Sequence, residues 1–385
     1  MRDGSNLIWL IFGSVLPAFV VAMFSGYVVR STAARWGLVA VPGGHSTHKS
    51  PTPLGGGLAI WLGVLLPLAA GQLVLWLLSG EDGSRRLDAW LGTGTLRHFI
   101  VPHLPGLQKQ CAKLWILMAG GMVLVLLGLW DDRARLDWRF RILVQSLVAA
   151  AIVTAGWRLS LFIDIPWLTG ALSVVWIVGL INAFNMLDNM DGLSAGVAAI
   201  AAGILAAVIL TAPNPITHGP QLFVGGLLLV FLGSLLGFLW HNRPPARLFM
   251  GDAGSYFVGY MMATSTISAT FAGPGLPDYA ILAPLCVLAV PIYDLVTVIV
   301  VRLREGRSPF SGDRSHVSHR LTDLGLSRAQ AVMVIWLATL VCGLGALMLH
   351  RVDRVGATLV LAMVVLVLTA IAVVDLRSQR KRERY

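Results

Sequence analysis

Apolar residues in this chain come in long runs that short polar segments separate. Eleven runs are close to the roughly 20 residues that a helix needs to cross a bilayer. Their predicted bounds are 7–29, 54–78, 114–130, 140–157, 168–187, 192–211, 221–240, 254–272, 279–301, 329–349 and 355–376. The pattern therefore predicts an all-α polytopic membrane protein with about 11 transmembrane helices.

No segment between these runs is long enough to form a separate soluble domain. The longest interruption, Ser79 to Lys113, contains glycine, proline and mixed charge, and it predicts a loop with one interfacial helix. The first run, Leu7 to Val29, is too long for a signal peptide and lacks a cleavage pattern, so we interpret it as a transmembrane helix. We predict one integral membrane domain over 1–385, ending in a basic tail at 377–385.

Composition and charge support a bilayer environment and predict a topology. The chain is 56% apolar and 12% charged, and its three cysteines make no disulfide framework. A net charge of +10 could suggest nucleic acid, but basic cytoplasmic loops explain it, and we expect no nucleic-acid partner. The loops after the odd-numbered runs, with Arg141 at the start of the fourth run and the C-terminal tail, hold 20 of the 29 lysines and arginines. The N-terminus is therefore predicted outside and the C-terminus in the cytoplasm, with the tail as a topology anchor or a contact for anionic lipid.

Five polar motifs fall on the predicted cytoplasmic face. They are His48-Lys49-Ser-Pro51-Thr-Pro53-Leu-Gly55-Gly56-Gly57, Asp131-Asp132, Asn182-x-x-Asn185-x-x-Asp188-x-x-Asp191-Gly192, His241-Asn242 with Phe249-Met250-Gly251-Asp252-x-Gly254-Ser255, and Asp313-Arg314-x-His316-x-x-His319. Polar loops that are far apart in sequence but meet at one membrane face predict a functional site rather than a set of anchors.

The chemistry of these motifs favours a divalent cation and phosphate. Carboxylate and amide oxygens suit Mg²⁺, and Asn185, Asp188 and Asp191 would share a face at helical spacing. The small residues from Gly251 would let a phosphate approach the N–H groups of a helix start. Across the site, Arg314 and the two histidines could neutralise a diphosphate.

Simpler interpretations stay open for several of these residues. Asp131 and Asp132 could be interfacial anchors, although adjacent like charges are costly unless a cation or a proton lies between them. The glycines after Pro53 could serve helix packing, and His316 and His319 could be solvated loop residues. Asp294 lies inside a predicted span, where it is either functional or a buried hydrogen-bonding group that fixes packing.

Together the motifs resemble those of the polyprenyl-phosphate N-acetylhexosamine-1-phosphate transferases, the family of the WecA, TagO and MraY enzymes. The resemblance extends from His45 to Leu326. It implies transfer of a sugar 1-phosphate, N-acetylglucosamine 1-phosphate above all, from a UDP-sugar to undecaprenyl or another polyprenyl phosphate, with release of UMP. In the family this step initiates a lipid-linked cell-envelope glycan at the cytoplasmic face of the bacterial inner membrane and uses Mg²⁺, with Mn²⁺ as an alternative ion.

The same resemblance implies roles for individual residues. Asp252 and Asn185 correspond to metal ligands, and Asp131 and Asp132 to the pair nearest the lipid phosphate, where one is a base or both only position substrate. The remaining correspondences are Asp191 as a catalytic residue and nucleotide contact, Lys49 and Asn242 as nucleotide contacts, Asp188 as a substrate contact, and Arg314, His316 and His319 as diphosphate contacts.

Two motifs place the chain nearer the WecA/TagO branch than MraY. These are the His48-Lys49 segment and Asp313-Arg314-x-His316, and the three consecutive histidines of MraY-type enzymes are missing. Ser318 departs from the usual His-x-His-His pattern by taking the middle histidine position. The alternatives are an MraY-like phospho-MurNAc-pentapeptide transferase and, in another class, a transporter, which would place ionisable residues near the bilayer midplane. Homodimer formation is left open.

Overall fold

The protein is a bundle of helices with one two-residue strand pair. The computed structural model describes residues 2–40, 51–77, 104–159, 163–212, 214, 219–273, 275–309 and 315–382. The helices are α1 (Arg2–Thr32), α2 (Gly56–Leu77), α3 (Leu104–Ala134), α4 (Trp138–Thr154), α5 (Pro166–Leu187), α6 (Leu193–Thr211), α7 (Leu222–Asn242), α8 (Gly251–Ser268), α9 (Ala283–Val287), α10 (Ala289–Arg304), α11 (Val317–Asp323), α12 (Arg328–Met348) and α13 (Arg354–Arg382). Strands β1 (Val39–Ala40) and β2 (Thr52–Pro53) pair antiparallel, and short 3₁₀ helices cover Ala33–Trp36 and Asp278–Leu282.

Each of the eleven predicted runs coincides with helical structure, but the count of eleven spans is not confirmed. Within the described residues, eight helices are long and apolar enough to cross a membrane. A ninth is added if the segments Asp278–Val287 and Ala289–Arg304, which meet at a bend of 67°, form one broken span. α4, with 17 residues, is shorter than a usual span, and α8 has only 18. The full count and the orientation of the termini therefore remain predictions.

The extent of burial distinguishes the helices at the centre of the bundle from those that face lipid. α6 and α8 are buried along most of their length, because alanine, glycine and serine let neighbouring helices approach them closely. α8 packs against α2, α3 and α5, whereas the part Arg354–Val373 of α13 is strongly apolar and has only three buried residues. An apolar helix that lies open on the outside of a bundle is suited to contact with lipid. The protein is accordingly a multi-pass membrane protein with α8 at its centre.

Close backbone contacts fix the first turn of α8. A Cβ atom on Gly57 would overlap the backbone at Gly254, and one on Gly128 would overlap Ala253. The N–H of Gly57 donates to the carbonyl of Met250 at 3.0 Å. The glycines after Pro53 therefore serve helix packing, which was one of the two interpretations open from the sequence. This contact places the start of α8 against α2 and α3.

Candidate active site

A polar cavity lies where α3, α5, α7 and α8 reach the same end of the bundle. Its volume is about 280 Å³. The lining residues are Ala40, Leu54, Asp132, Asn185, Asp188, Asn189, Met190, Asp191, Asn242, Phe249, Met250, Gly251 and Asp252. Six of the eleven predicted site residues are in this lining, so the structure brings together three motifs that are far apart in sequence.

Asp132 holds the beginning of α8. Its Oδ1 accepts a hydrogen bond from the backbone N–H of Asp252 at 2.9 Å. Gly251 has φ +69°, and a Cβ on it would lie 2.5 Å from Asp132 Oδ2, so both the conformation and the space require glycine. The N–H of Asp252 is therefore engaged by a carboxylate. This corrects the expectation that the N–H groups at this helix start are free for a phosphate.

Asn185 supports the Asp252 side chain. Its Nδ2 donates to Asp252 Oδ1 at 2.6 Å and to Ser255 Oγ at 3.0 Å. In this arrangement the amide nitrogen, rather than the oxygen, faces the carboxylate. A half-turn of the amide would bring its oxygen to the same place, because the two ends of an asparagine amide are nearly the same size.

Asp188 lies just beyond the end of α5 and opens onto the cavity. The helix stops at Leu187, and a turn through Gly192 at φ +73° leads into α6. The prediction that Asn185, Asp188 and Asp191 share one face of a continuous helix is therefore wrong, although all three reach the cavity. Burial, followed by repulsion from Asp252 and then Asp191, raises the pKa of Asp188 to about 8.

Asp191 and Asn242 form hydrogen bonds that connect the loops around the cavity. Asp191 Oδ2 accepts from the N–H of Ala246 at 2.9 Å. Asn242 is almost completely buried; its Oδ1 accepts from the N–H of Gly192 at 2.9 Å and its Nδ2 donates to the carbonyl of Leu248 at 3.0 Å. Both polar atoms of Asn242 therefore have protein partners, so its predicted contact with a nucleotide stays a prediction.

Asp131 is not among the residues that line the cavity, although it is adjacent to Asp132 in the sequence. It is buried and accepts three hydrogen bonds: from Tyr256 Oη at 2.7 Å, Leu136 N–H at 2.8 Å and Arg141 Nη1 at 2.9 Å. These contacts join α3, α4 and α8. The two adjacent aspartates thus differ in their surroundings, and only Asp132 lines the cavity.

The segment that carries His316 and His319 contacts the loop at 188–191, which we call the acidic loop. Ser318 Oγ donates to Asn189 Oδ1 at 2.5 Å, and Asn189 lines the cavity. His316 Nδ1 lies 2.9 Å from Asp294 Oδ2. His316 and His319 are both buried, with ring centroids 6.4 Å apart, so the interpretation of them as solvated loop residues is wrong. Neither ring is in the cavity lining.

Two predicted contacts lie outside the described residues. Lys49 falls within 41–50, and Arg314 within 310–314. Their proposed contacts with the nucleotide and the diphosphate stay predictions. Asn189, Arg141 and Tyr256 were not among the site residues predicted from the sequence. For Asn189 a signal was present, since it lies inside the third motif, whereas nothing in the sequence pairs Arg141 or Tyr256 with Asp131.

The donor set of the cavity fits a hard divalent cation. Its described lining contains four carboxylates and no lysine, arginine or histidine. Among the described residues, no three His, Cys, Asp or Glu side chains are placed to hold an ion by themselves. Mg²⁺ is commonly bound by one or two carboxylates, with water and substrate phosphates completing the shell. Asp252, with Asn185 beside it, suits such a partly formed site.

Comparison with known proteins gives consistent matches along the chain. The model of the family described as glycosyl transferase family 4 matches residues 114–270. The chain is similar to a probable undecaprenyl-phosphate N-acetylglucosaminyl 1-phosphate transferase of Bacillus subtilis, with 30% identity over 87% of this chain and 85% of the relative. It is also similar to a decaprenyl-phosphate N-acetylglucosaminephosphotransferase of Mycolicibacterium smegmatis, with 31% identity over 94% and 87%. An Escherichia coli undecaprenyl-phosphate alpha-N-acetylglucosaminyl 1-phosphate transferase is 27% identical over 86% and 82%.

Proposed function

The chain belongs to glycosyl transferase family 4, and from that premise we propose that it transfers N-acetylglucosamine 1-phosphate from UDP-N-acetylglucosamine to a polyprenyl phosphate. An oxygen of the lipid phosphate attacks the sugar-linked phosphorus of the nucleotide sugar, and the bond to UMP breaks. The products are a polyprenyl diphosphate sugar and UMP. The relatives that match nearly the full chain carry names for this type of transfer.

The observation that carries the proposal is the carboxylate cavity at one end of the bundle. Asp132 is two residues from the end of α3, Asp188 follows α5, and Asp252 is the second residue of α8. A transporter would instead place its ionisable residues near the middle of the membrane. Carboxylates at helix ends suit a reaction between a lipid headgroup and a water-soluble nucleotide sugar, which meet at the membrane surface.

Asp252 and Asn185 are the residues that would hold Mg²⁺. When bound, the ion supplies charge neutralisation for the diphosphate and for the departing UMP. Asn185 keeps Asp252 in place through the 2.6 Å hydrogen bond, and Asp132 keeps the Asp252 backbone in place. The first turn of α8 is thereby positioned from two sides before any substrate arrives.

Asp132 is the better candidate of the adjacent pair for a role at the lipid phosphate. It opens onto the cavity, whereas three hydrogen bonds occupy Asp131 inside the protein. A phosphate monoester has a second pKa of about 6 and is largely ionised near neutral pH. Asp132 therefore needs only to orient the lipid phosphate or remove its remaining proton, and a direct single displacement is sufficient.

We place the protein in a bacterial cytoplasmic membrane with the cavity facing the cytoplasm. The basic loops at the cavity end support this orientation, since such loops favour the cytoplasmic side. UDP-sugars are cytoplasmic, so the substrate and the site would be on the same side. Labelling of a single introduced cysteine in the loop after α7 by an impermeant reagent, in right-side-out and inverted vesicles, tests the orientation; reaction only in inverted vesicles is expected.

The decisive assay measures UMP release by the purified protein in detergent with undecaprenyl phosphate and Mg²⁺. UDP-N-acetylglucosamine, UDP-N-acetylgalactosamine and UDP-MurNAc-pentapeptide are compared in parallel. UMP release that requires both the lipid and UDP-N-acetylglucosamine is the expected result. Use of UDP-MurNAc-pentapeptide alone would favour the MraY-like alternative, and failure with every UDP-sugar would contradict the proposal.

A further inference from the structure

Asp294 is a buried carboxylate that the proposed reaction does not yet use. It lies in α10, with no exposed surface, in a region predicted from sequence to span the membrane. Its Oδ2 is 2.9 Å from His316 Nδ1, and its Oδ1 accepts from the backbone N–H of Val317 at 2.9 Å. A carboxylate in such a place is costly unless it is paired and hydrogen-bonded. Both carboxylate oxygens of Asp294 have such a partner, and the two partners, His316 and Val317, are adjacent in the chain.

The contact defines which nitrogen of His316 carries a proton. An ionised carboxylate only accepts hydrogen bonds, so Nδ1 must be protonated to donate to Asp294. The N–H of Val317 is a second donor to the same carboxylate. Within the described chain, Nε2 has no hydrogen-bonding partner. The imidazole therefore has one nitrogen committed to the protein and one available for another group.

The segment that carries His316 is also fixed to the cavity. Ser318, two residues further on, donates to Asn189 at the cavity wall. His316 is thus held between α10 on one side and the acidic loop on the other.

We propose that Asp294 is a positioning residue for the transfer reaction, acting through His316. It fixes the orientation of the ring and keeps the proton on Nδ1, which leaves the lone pair of Nε2 to accept a hydrogen bond from a hydroxyl group of the nucleotide sugar. The inference rests on the proposed function and deepens it, because it assigns the geometry of one predicted substrate contact and changes its partner from the diphosphate to a hydroxyl group. Carboxylate partners that orient a metal-ligating histidine contribute about 10- to 100-fold, and we expect an effect of the same order for this oriented histidine.

The kinetic test is a double-mutant cycle on the full-length protein with Asp294→Asn and His316→Gln. We expect Asp294→Asn to lower kcat/KM by roughly 10- to 100-fold, and to have little further effect in the His316→Gln background. Asp353→Asn is the matched control, since this exposed residue caps α13 at the other end of the bundle. Equal losses from Asp294→Asn in both backgrounds would overturn the proposal.

A second readout needs no activity and separates this inference from the proposed function. Protein labelled with ¹⁵N-histidine reports the tautomer of His316, whose signal is assigned by its loss in His316→Gln. We expect a proton on Nδ1 in the wild type. In Asp294→Asn the amide oxygen keeps the hydrogen bond from the N–H of Val317. The NH₂ group of the new asparagine then donates to Nδ1, so the proton of the ring should move to Nε2. A wild-type ring protonated only on Nε2 contradicts the inference even if transfer is confirmed, whereas an inactive wild type with the expected tautomer contradicts only the function.

Discussion

Asp131 and Asp132 are adjacent, yet their asparagine variants should fail in different ways. Asp131→Asn should lower stability, because an amide has one acceptor oxygen and cannot replace a carboxylate that accepts from Leu136, Tyr256 and Arg141. Hydrogen bonds to charged groups contribute about 1.5–3 kcal/mol each. The Arg141 side chain is 26% exposed, so water compensates part of its loss. The free energy of unfolding should therefore fall by roughly 2–3 kcal/mol in total, which corresponds to several degrees in melting temperature.

Asp132→Asn should instead remove activity and leave stability unchanged or slightly raised. The amide oxygen can keep the hydrogen bond from Asp252 N–H, and the substitution takes one negative charge out of a cavity lined by four carboxylates. Loss of a general base or of a group that orients the nucleophile is typically worth roughly 10²- to 10⁴-fold in kcat. Substrate binding should change much less.

Thermal unfolding in detergent, followed by tryptophan fluorescence, and UMP release give the two readouts. Asp137→Asn is the control, since Asp137 caps α4 through Arg139 N–H and asparagine caps equally well. It should leave both readouts unchanged. The reasoning is refuted if Asp131→Asn keeps the wild-type melting temperature but loses activity, or if Asp132→Asn unfolds early and still turns over at the wild-type rate.

Four further predictions follow from single contacts. Asp252→Ala should abolish UMP release and Mg²⁺ dependence together; an active variant that still needs Mg²⁺ would rule out Asp252 as a ligand. Because the pKa of Asp188 is raised from 3.8 to about 8, its contribution to the stability of the metal-free protein should be fully present below pH 4 and lost as the pH rises through 8. Melting temperatures in EDTA should show this slope, and Asp188→Asn should reduce it. Ser318→His, which restores the usual family residue, should destabilise by about 1–3 kcal/mol because the site is 1% exposed, and thermal unfolding measures the loss. Gly251→Ala should lower the melting temperature and the rate together, since its Cβ would displace Asp132.

The apolar pattern predicted where helices form but not how each one crosses the bundle. The run at 279–301 looks continuous, yet the chain bends by 67° at Leu288, between α9 and α10. Pro284 and Pro291 are the local signals for this break, since proline disrupts helical hydrogen bonding. Periodicity alone does not show whether such a run bends, because that depends on what the two halves pack against.

The motifs likewise predicted which segments meet at the site, but not the orientation of each side chain. Consecutive residues on a helix point about 100° apart, so Asp131 and Asp132 have different surroundings. Which of them faces the cavity depends on Tyr256 and Arg141, which belong to other helices. The sequence places Asp294 in an apolar run and does not identify its partner, because His316 is 22 positions away. Long-range pairs of this kind require the tertiary structure.

The crowded glycine contacts at the start of α8 also bear on laboratory evolution of this protein. Gly57, Gly128 and Gly254 leave no room for a methyl group, so a mutational library over these positions would return mainly unfolded variants. Asn189, Met190 and Phe249 also line the cavity but lie outside the helices. Selection for a different sugar should therefore be directed at these loop positions, where side-chain size can change while the helix contacts stay as they are.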